Sequence, residues 1–149
     1  MRTKFSTKRV PRQTIGNIGL YYICYRLSLY GWNVLPTSRN AKGIDIIIYS
    51  QNASRNETIQ VKTLSKRNPV PLGNSLNNLV SKYLLICVRN YPHEPICYVM
   101  KTTEVKDSAQ KSEKDGRISY WLRQPDYEND KYKGKWERIG HGIQFDTTV

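Results

Sequence analysis

Asp45, Gln60 and Lys62 are the residues whose types and spacing can do chemistry. Asp45 interrupts an aliphatic run, Gly43-Ile44-Asp45-Ile46-Ile47-Ile48, and a second apolar stretch, Thr58-Ile59-Gln60-Val61-Lys62, follows a polar turn from Ser50 to Asn56. Strand side chains alternate faces, so Thr58, Gln60 and Lys62 share one face while Ile59 and Val61 share the other. Pairing the two strands as a hairpin aims a carboxylate, an amide and an ammonium at one spot. Phosphodiester cleavage needs a cation near the scissile phosphate, an oriented water and stabilisation of developing charge. Mg²⁺ (or Mn²⁺) takes oxygen ligands and keeps several waters, so Asp45 and Gln60 are the candidate metal ligands. Lys62 can position or deprotonate the attacking water. The plainer alternative is an Asp45–Lys62 salt bridge on an ordinary hairpin.

The charge of the chain is concentrated around these residues. Residues 1–93 carry 14 Lys/Arg against two acids, Asp45 and Glu57, whereas residues 94–149 carry ten of each, so the whole net charge of +12 lies in the part with Asp45 and Lys62. A one-sided positive field attracts polyanions, nucleic acid before an anionic membrane. Residues 1–12 form a basic arm with Arg2, Lys4, Lys8, Arg9 and Arg12 and no acid, ahead of a single domain over 13–149. Lys4, Lys8, Arg9 and Arg12 of the arm, Arg39 and Lys42 before Asp45, and Lys66 and Arg67 after Lys62 are the candidate phosphate contacts.

Composition excludes several classes. No run approaches the roughly 20 apolar residues of a membrane span, and the basic N-terminus lacks the apolar core of a signal peptide. Cys24, Cys87 and Cys97 lie in apolar segments without CxxC spacing, which reads as reduced core cysteines of a cytoplasmic protein. Two histidines, His93 and His141, leave little for a zinc site.

The elements that must position the site read as follows. Ile15, Ile18, Tyr22, Ile23 and Leu27 recur at helical steps, giving a helix from Gln13 to Tyr30 stopped by Gly31. Gly16 and Gly19 within it each cost about 1 kcal/mol against Ala, which makes sense if another backbone passes close. Trp32–Pro36 is a short strand, and Thr63–Leu79, with Pro69, Pro71 and Gly73, reads as a loop. Tyr83–Val88 is a continuous apolar run expected as a buried strand, followed by a turn at Asn90–Pro95 and a strand at Ile96–Met100. A helix can open at Thr103, a short strand lies at Ile118–Leu122, and Pro125–Lys135 is expected as a helix. The sum is a mixed α/β domain.

The pattern Gly-Ile-Asp with three apolar residues, followed by Ile-Gln-Val-Lys, resembles the PD-(D/E)XK nuclease superfamily, which includes restriction endonucleases and Holliday-junction resolvases. The first helix of that family often contains G-x-x-G-E, and Gly16-Asn17-Ile18-Gly19-Leu20 matches the glycines. The resemblance implies a restriction-endonuclease-like mixed β-sheet core flanked by helices (α-β-β-β-α-β type). It maps the family's aspartate, second acidic ligand and lysine onto Asp45, Gln60 and Lys62, a Q-x-K variant. Leu20 stands in place of a helix carboxylate, so Asp45 is the one acidic ligand and the metal site is expected to be weak and single-ion. Glu57 falls on the opposite face from Gln60. The implied activity is Mg²⁺-dependent cleavage of nucleic acid, first of all DNA, by a homodimer if both strands are cut. A catalytically degenerate binding module and an RNA-directed (tRNA) nuclease toxin domain are the alternatives.

Overall fold

The computed structural model describes residues 9–38 and 42–144. Helix α1 (Arg12–Leu29) is followed by strands β1 (Asn33–Pro36), β2 (Ile46–Tyr49) and β3 (Asn56–Leu64). Strand β4 (Val70–Gly73) and a 3₁₀ turn at Leu76–Asn78 lead to β5 (Tyr83–Asn90) and β6 (His93–Lys101). Helix α2 (Thr102–Ser108), strands β7 (Gln110–Lys114) and β8 (Arg117–Leu122), and the one-turn helix α3 (Gln124–Tyr127) complete the order, with a 3₁₀ turn at Trp136–Arg138.

Five strands form the main sheet in the order β1-β2-β3-β5-β6, and β4-β8-β7 form a smaller one. Only β3 and β5 run parallel in the main sheet; its other neighbours are antiparallel. Alternation assigns the two faces. Ile46, Ile48, Ile59, Leu85 and Val99 join Ile23 and Leu27 of α1, together with Trp136 and Ile139, in one core. Leu84, Ile86, Tyr98 and Met100 join Val70 and Leu72 of β4, Val105 of α2 and Leu122 of β8 in the other. Every side chain from Tyr83 to Val88 is buried, as expected of a strand covered on both faces.

The stop of α1 is set by Gly31. It sits at φ +84 and its amide bonds to the Ser28 carbonyl, while the Trp32 amide bonds to that of Leu27. This is a Schellman closure, with Trp32 and Leu27 packed in the same core. Trp32 therefore precedes β1 instead of starting it.

Several expectations are corrected. The Thr63–Leu79 stretch contains β4 and a 3₁₀ turn, and these, not a helix, connect the parallel strands β3 and β5. The expected helix at Pro125–Lys135 is a single turn. Cys87 and Cys97 are not reduced: they face one another across β5 and β6 and are joined as a disulfide, leaving Cys24 free. The reason is register, because two residues equally distant from one turn are opposed in a hairpin. Among the described residues no helix is long and apolar enough to cross a membrane.

Candidate functional site

Asp45 lies one residue before β2, held on every side. Its amide donates to the Ile59 carbonyl at 2.9 Å, and its carbonyl accepts from the Thr37 amide at 2.9 Å. Its carboxylate Oδ2 accepts from the Val61 amide at 2.7 Å. Because β2 has ended, no β2 carbonyl takes up that amide, and the side chain does so instead. Such a charge-assisted bond contributes about 1.5–3 kcal/mol. One carboxylate oxygen is thus fixed structurally, and the other is oriented by it.

The register of β2 on β3 ends at the pair Ile46 and Ile59, and Asp45, at the bend before it, reaches β3 through its bonds to Ile59 and Val61, the two residues that flank Gln60. Gln60 and Lys62 point away from α1, on the face shared with Leu84 and Ile86. The three residues are therefore brought to one place, as the alternation of the two strands requires. Both Gln60 and Lys62 are half-buried.

Among the described residues the Gln60 side-chain oxygen is buried and has no hydrogen-bond partner. Three other buried polar atoms share that state among the described residues, and two of them, on Arg26 and Glu128, have an aromatic or charged neighbour that accounts for it. Arg26 lies over the Trp136 ring, Glu128 is 3.1 Å from Arg67, and Thr63 is pressed against Gly19. An unmade bond of this kind costs about 1–3 kcal/mol, which makes the Gln60 oxygen a candidate ligand for an ion.

Burial pushes the Lys62 ammonium below the usual lysine range, and the negative charge of Asp45 partly opposes this. No direct Asp45–Lys62 ion pair forms among the described residues, so the plain salt-bridge alternative does not describe the site. The sign of the linkage follows. Between the lowered value and 10.5 the unfolded chain holds a proton that the folded chain has released, so stability rises with pH across that window. A carbon-13 titration of Lys62 should give a midpoint below 10.5, moving lower still in Asp45→Asn. A midpoint at 10.5 or above in both proteins would contradict this environment.

The loop before Asp45 is fixed by Gly43. It adopts φ +74, and a Cβ there would lie 2.9 Å from both the Asn78 carbonyl and Val80 Cγ2. The segment Asn78–Lys82 therefore borders the site, and the Lys82 amide bonds to Thr58 Oγ1 at 2.9 Å, in line with Gln60 and Lys62. Glu57 is buried on the other face and is bridged by Lys82 at 3.0 Å and Arg55 at 3.2 Å. Leu20 packs against the α1-side core and offers no oxygen.

Among the candidate phosphate contacts, Lys42 is exposed three residues before Asp45. Arg9 and Arg12 are exposed at the start of α1, and Lys66 is exposed after β3. Arg67 is drawn into its ion pair with Glu128. Lys4, Lys8 and Arg39 lie outside the described residues. Sequence reasoning passed over Lys82, Lys101 and Lys106, which converge on a cleft beside the site; they are far apart in sequence and form no basic run.

Among the described residues no group of three or more His, Cys, Asp or Glu is placed to hold a metal. The donors at the Asp45 site are a carboxylate and an amide oxygen, both hard. They fit Mg²⁺ or Mn²⁺, which keep waters in the remaining positions, and do not suit zinc.

No protein-family model and no curated protein sequence matches this chain. Solved structures do. The chain is similar to the bacterial homing endonuclease I-Ssp6803I with a TM-score of 0.57 and 17% sequence identity, covering 88% of this chain and 94% of that one. It is also similar to Hjc, a Holliday junction resolvase from the archaeal hyperthermophile Archaeoglobus fulgidus, with a TM-score of 0.48, 14% identity, and coverage of 72% and 89%. At the identity found, the likeness to the homing endonuclease is one of fold. A mixed five-strand sheet flanked by helices is the restriction-endonuclease-like α/β fold that the sequence resemblance implied.

Proposed function

We propose that this protein is a divalent-metal-dependent nuclease, with DNA as its substrate and endonucleolytic hydrolysis as its reaction. The observation that carries this reading is the Gln60 oxygen, buried and without a partner among the described residues, between the two β3 residues that bond to Asp45. The fold shared with a protein described as a homing endonuclease supports it, as does the basic residue 1–93 segment.

Asp45 and Gln60 would hold the ion. When bound, Mg²⁺ supplies charge stabilisation at the phosphoryl oxygens and lowers the pKa of its water. The residues of the chain do the rest. Val61 fixes the Asp45 carboxylate so that little reorganisation is needed when substrate arrives. The Lys62 ammonium offsets charge that builds on the phosphate, and its lowered pKa enlarges the neutral fraction able to take a proton from the attacking water. Lys42, Arg9, Arg12 and Lys66 serve the backbone on either side. One site per chain cuts one strand, so cleavage of a duplex on both strands calls for a homodimer.

The test is cleavage of plasmid, single-stranded DNA, branched DNA and RNA with Mg²⁺, with Mn²⁺ and with EDTA. Metal-dependent cutting of DNA that is lost in Lys62→Ala supports the reading; metal-independent cutting, or RNA as the sole substrate, contradicts it.

Gln60→Glu gives a sharper check. A second half-buried carboxylate beside Asp45 should lower the melting temperature without metal, because like charges and burial both disfavour it. Mg²⁺ should then raise the melting temperature more than in the wild type, since a ligand bound only to the folded state stabilises by mass action. An unchanged response to Mg²⁺ would remove Gln60 from the metal site.

A second reading has one observation in its favour. Leu20 is committed to the core, so a single carboxylate is left to attract a metal. A non-catalytic nucleic-acid-binding module on this fold predicts salt-sensitive binding without turnover.

A further inference from the structure

A cleft of about 600 Å³ opens beside the candidate site. Its walls include Val80, Ser81 and Lys82 before β5, and Lys101, Thr103 and Lys106 at the end of β6 and along α2. Among the described residues no carboxylate lines it. Lys82 meets Lys101 and Lys106 here, the latter two from the residue 94–149 segment, which has no net charge. Glu104 is engaged elsewhere, with Arg138 at 2.8 Å and Lys131 at 3.6 Å, whereas Lys82 is itself paired with Glu57 at 3.0 Å. Lys101 and Lys106 therefore have no ion-pair partner among the described residues.

The position of the cleft is as informative as its charge. The segment that walls it is the one that presses on Gly43 and caps Thr58. The row Thr58, Gln60 and Lys62 thus leads from the cleft to the candidate catalytic residues along one face of β3. Val80 is 59% exposed at this junction, an apolar surface that a sugar can cover.

We propose that this cleft holds the phosphodiester backbone of the nucleic-acid strand next to the bond cut at Asp45, with Lys101 and Lys106 as the phosphate contacts. The inference rests on the nuclease reading but is tested apart from it, by binding without divalent metal. Fluorescence anisotropy of a labelled DNA duplex in EDTA, over a salt series, compares the wild type with Lys101→Ala/Lys106→Ala. A control, Lys111→Ala/Lys114→Ala, removes the same charge from the exposed strand β7.

The cleft variant should bind on the order of tenfold more weakly, with the salt slope reduced by about two, and the control should keep the wild-type slope. Equal losses in both variants, or none in the cleft variant, overturn the proposal. So does displacement of the duplex by an equimolar amount of inorganic phosphate or mononucleotide, which would make the cleft a free-phosphate site. If binding responds as expected while Asp45→Asn still cleaves, the catalytic reading fails and the cleft stands. If Asp45→Asn is inactive and the cleft variant binds normally, the reverse holds.

Discussion

Asp45→Asn should abolish metal-dependent cleavage, by a factor of roughly 10³ or more, while destabilising the fold less than Asp45→Ala does. The two halves of that expectation come from the two roles of one carboxylate. The structural role needs only an acceptor for the Val61 amide, 2.7 Å away, and the asparagine oxygen supplies one. The chemical role needs negative charge facing Gln60 and Lys62, and asparagine has none. Asp45→Ala should lose activity to the same extent but also leave the Val61 amide unpaired, at a cost of about 1–3 kcal/mol. Melting curves and cleavage rates on the two variants separate the roles. A protein in which Asn is as destabilising as Ala, or still cleaves, would show that Asp45 serves the fold alone.

Gly19→Ala should destabilise the protein by about 1–3 kcal/mol, and Gly16→Ala should stabilise it by up to about 1 kcal/mol. The two glycines lie three residues apart on one helix and match the same sequence pattern, yet their surroundings differ. A Cβ at Gly19 would fall on Thr63 Oγ1 and within 3.0 Å of Thr63 Cβ, at the end of β3. A β-branched strand residue cannot turn aside freely, so α1 or β3 must shift. Among the described residues nothing lies within 4 Å of a Cβ at Gly16, so there the alanine only reduces the entropy of the unfolded chain. Adding Thr63→Ala to Gly19→Ala should recover part of the loss, an interaction readable by a double-mutant cycle. Because Thr63 follows Lys62, Gly19→Ala should also depress cleavage in the fraction that remains folded. Equal effects at the two glycines would contradict the packing of α1 on β3.

The parts of the fold legible in the sequence are those where burial leaves a period. The α1 apolar steps, the alternating isoleucines of β2 and the continuous run of β5 all mark how many faces are covered. Gly31 marked the end of α1 because its left-handed φ is one that glycine adopts without strain. The Asp45, Gln60 and Lys62 cluster was legible because the period of a strand is two, so residue types alone placed them on one side.

What was missed lacks such a period. Pro69 and Pro71 disguised β4, but β4 is an edge strand of the small sheet, where proline is tolerated. Every residue of β7 is exposed, so nothing apolar marks it. The Asp115-Gly116 pair, both at positive φ, was the available signal for the β7–β8 hairpin. Cys87 and Cys97 could have been paired by folding the chain about the turn at Asn90–Pro95. The unpartnered state of Gln60 and the convergence of Lys82, Lys101 and Lys106 are three-dimensional facts with no trace along the chain.

The central claim is that Asp45 and Gln60 together hold a divalent ion beside Lys62. A crystal soaked in Mn²⁺ tests it most directly, through the anomalous signal of the metal. One peak is expected between the Asp45 carboxylate and the Gln60 side-chain oxygen, within about 2.2 Å of each, with water filling the other positions. A crystal that binds no metal there while Lys62 closes directly onto Asp45 would contradict it.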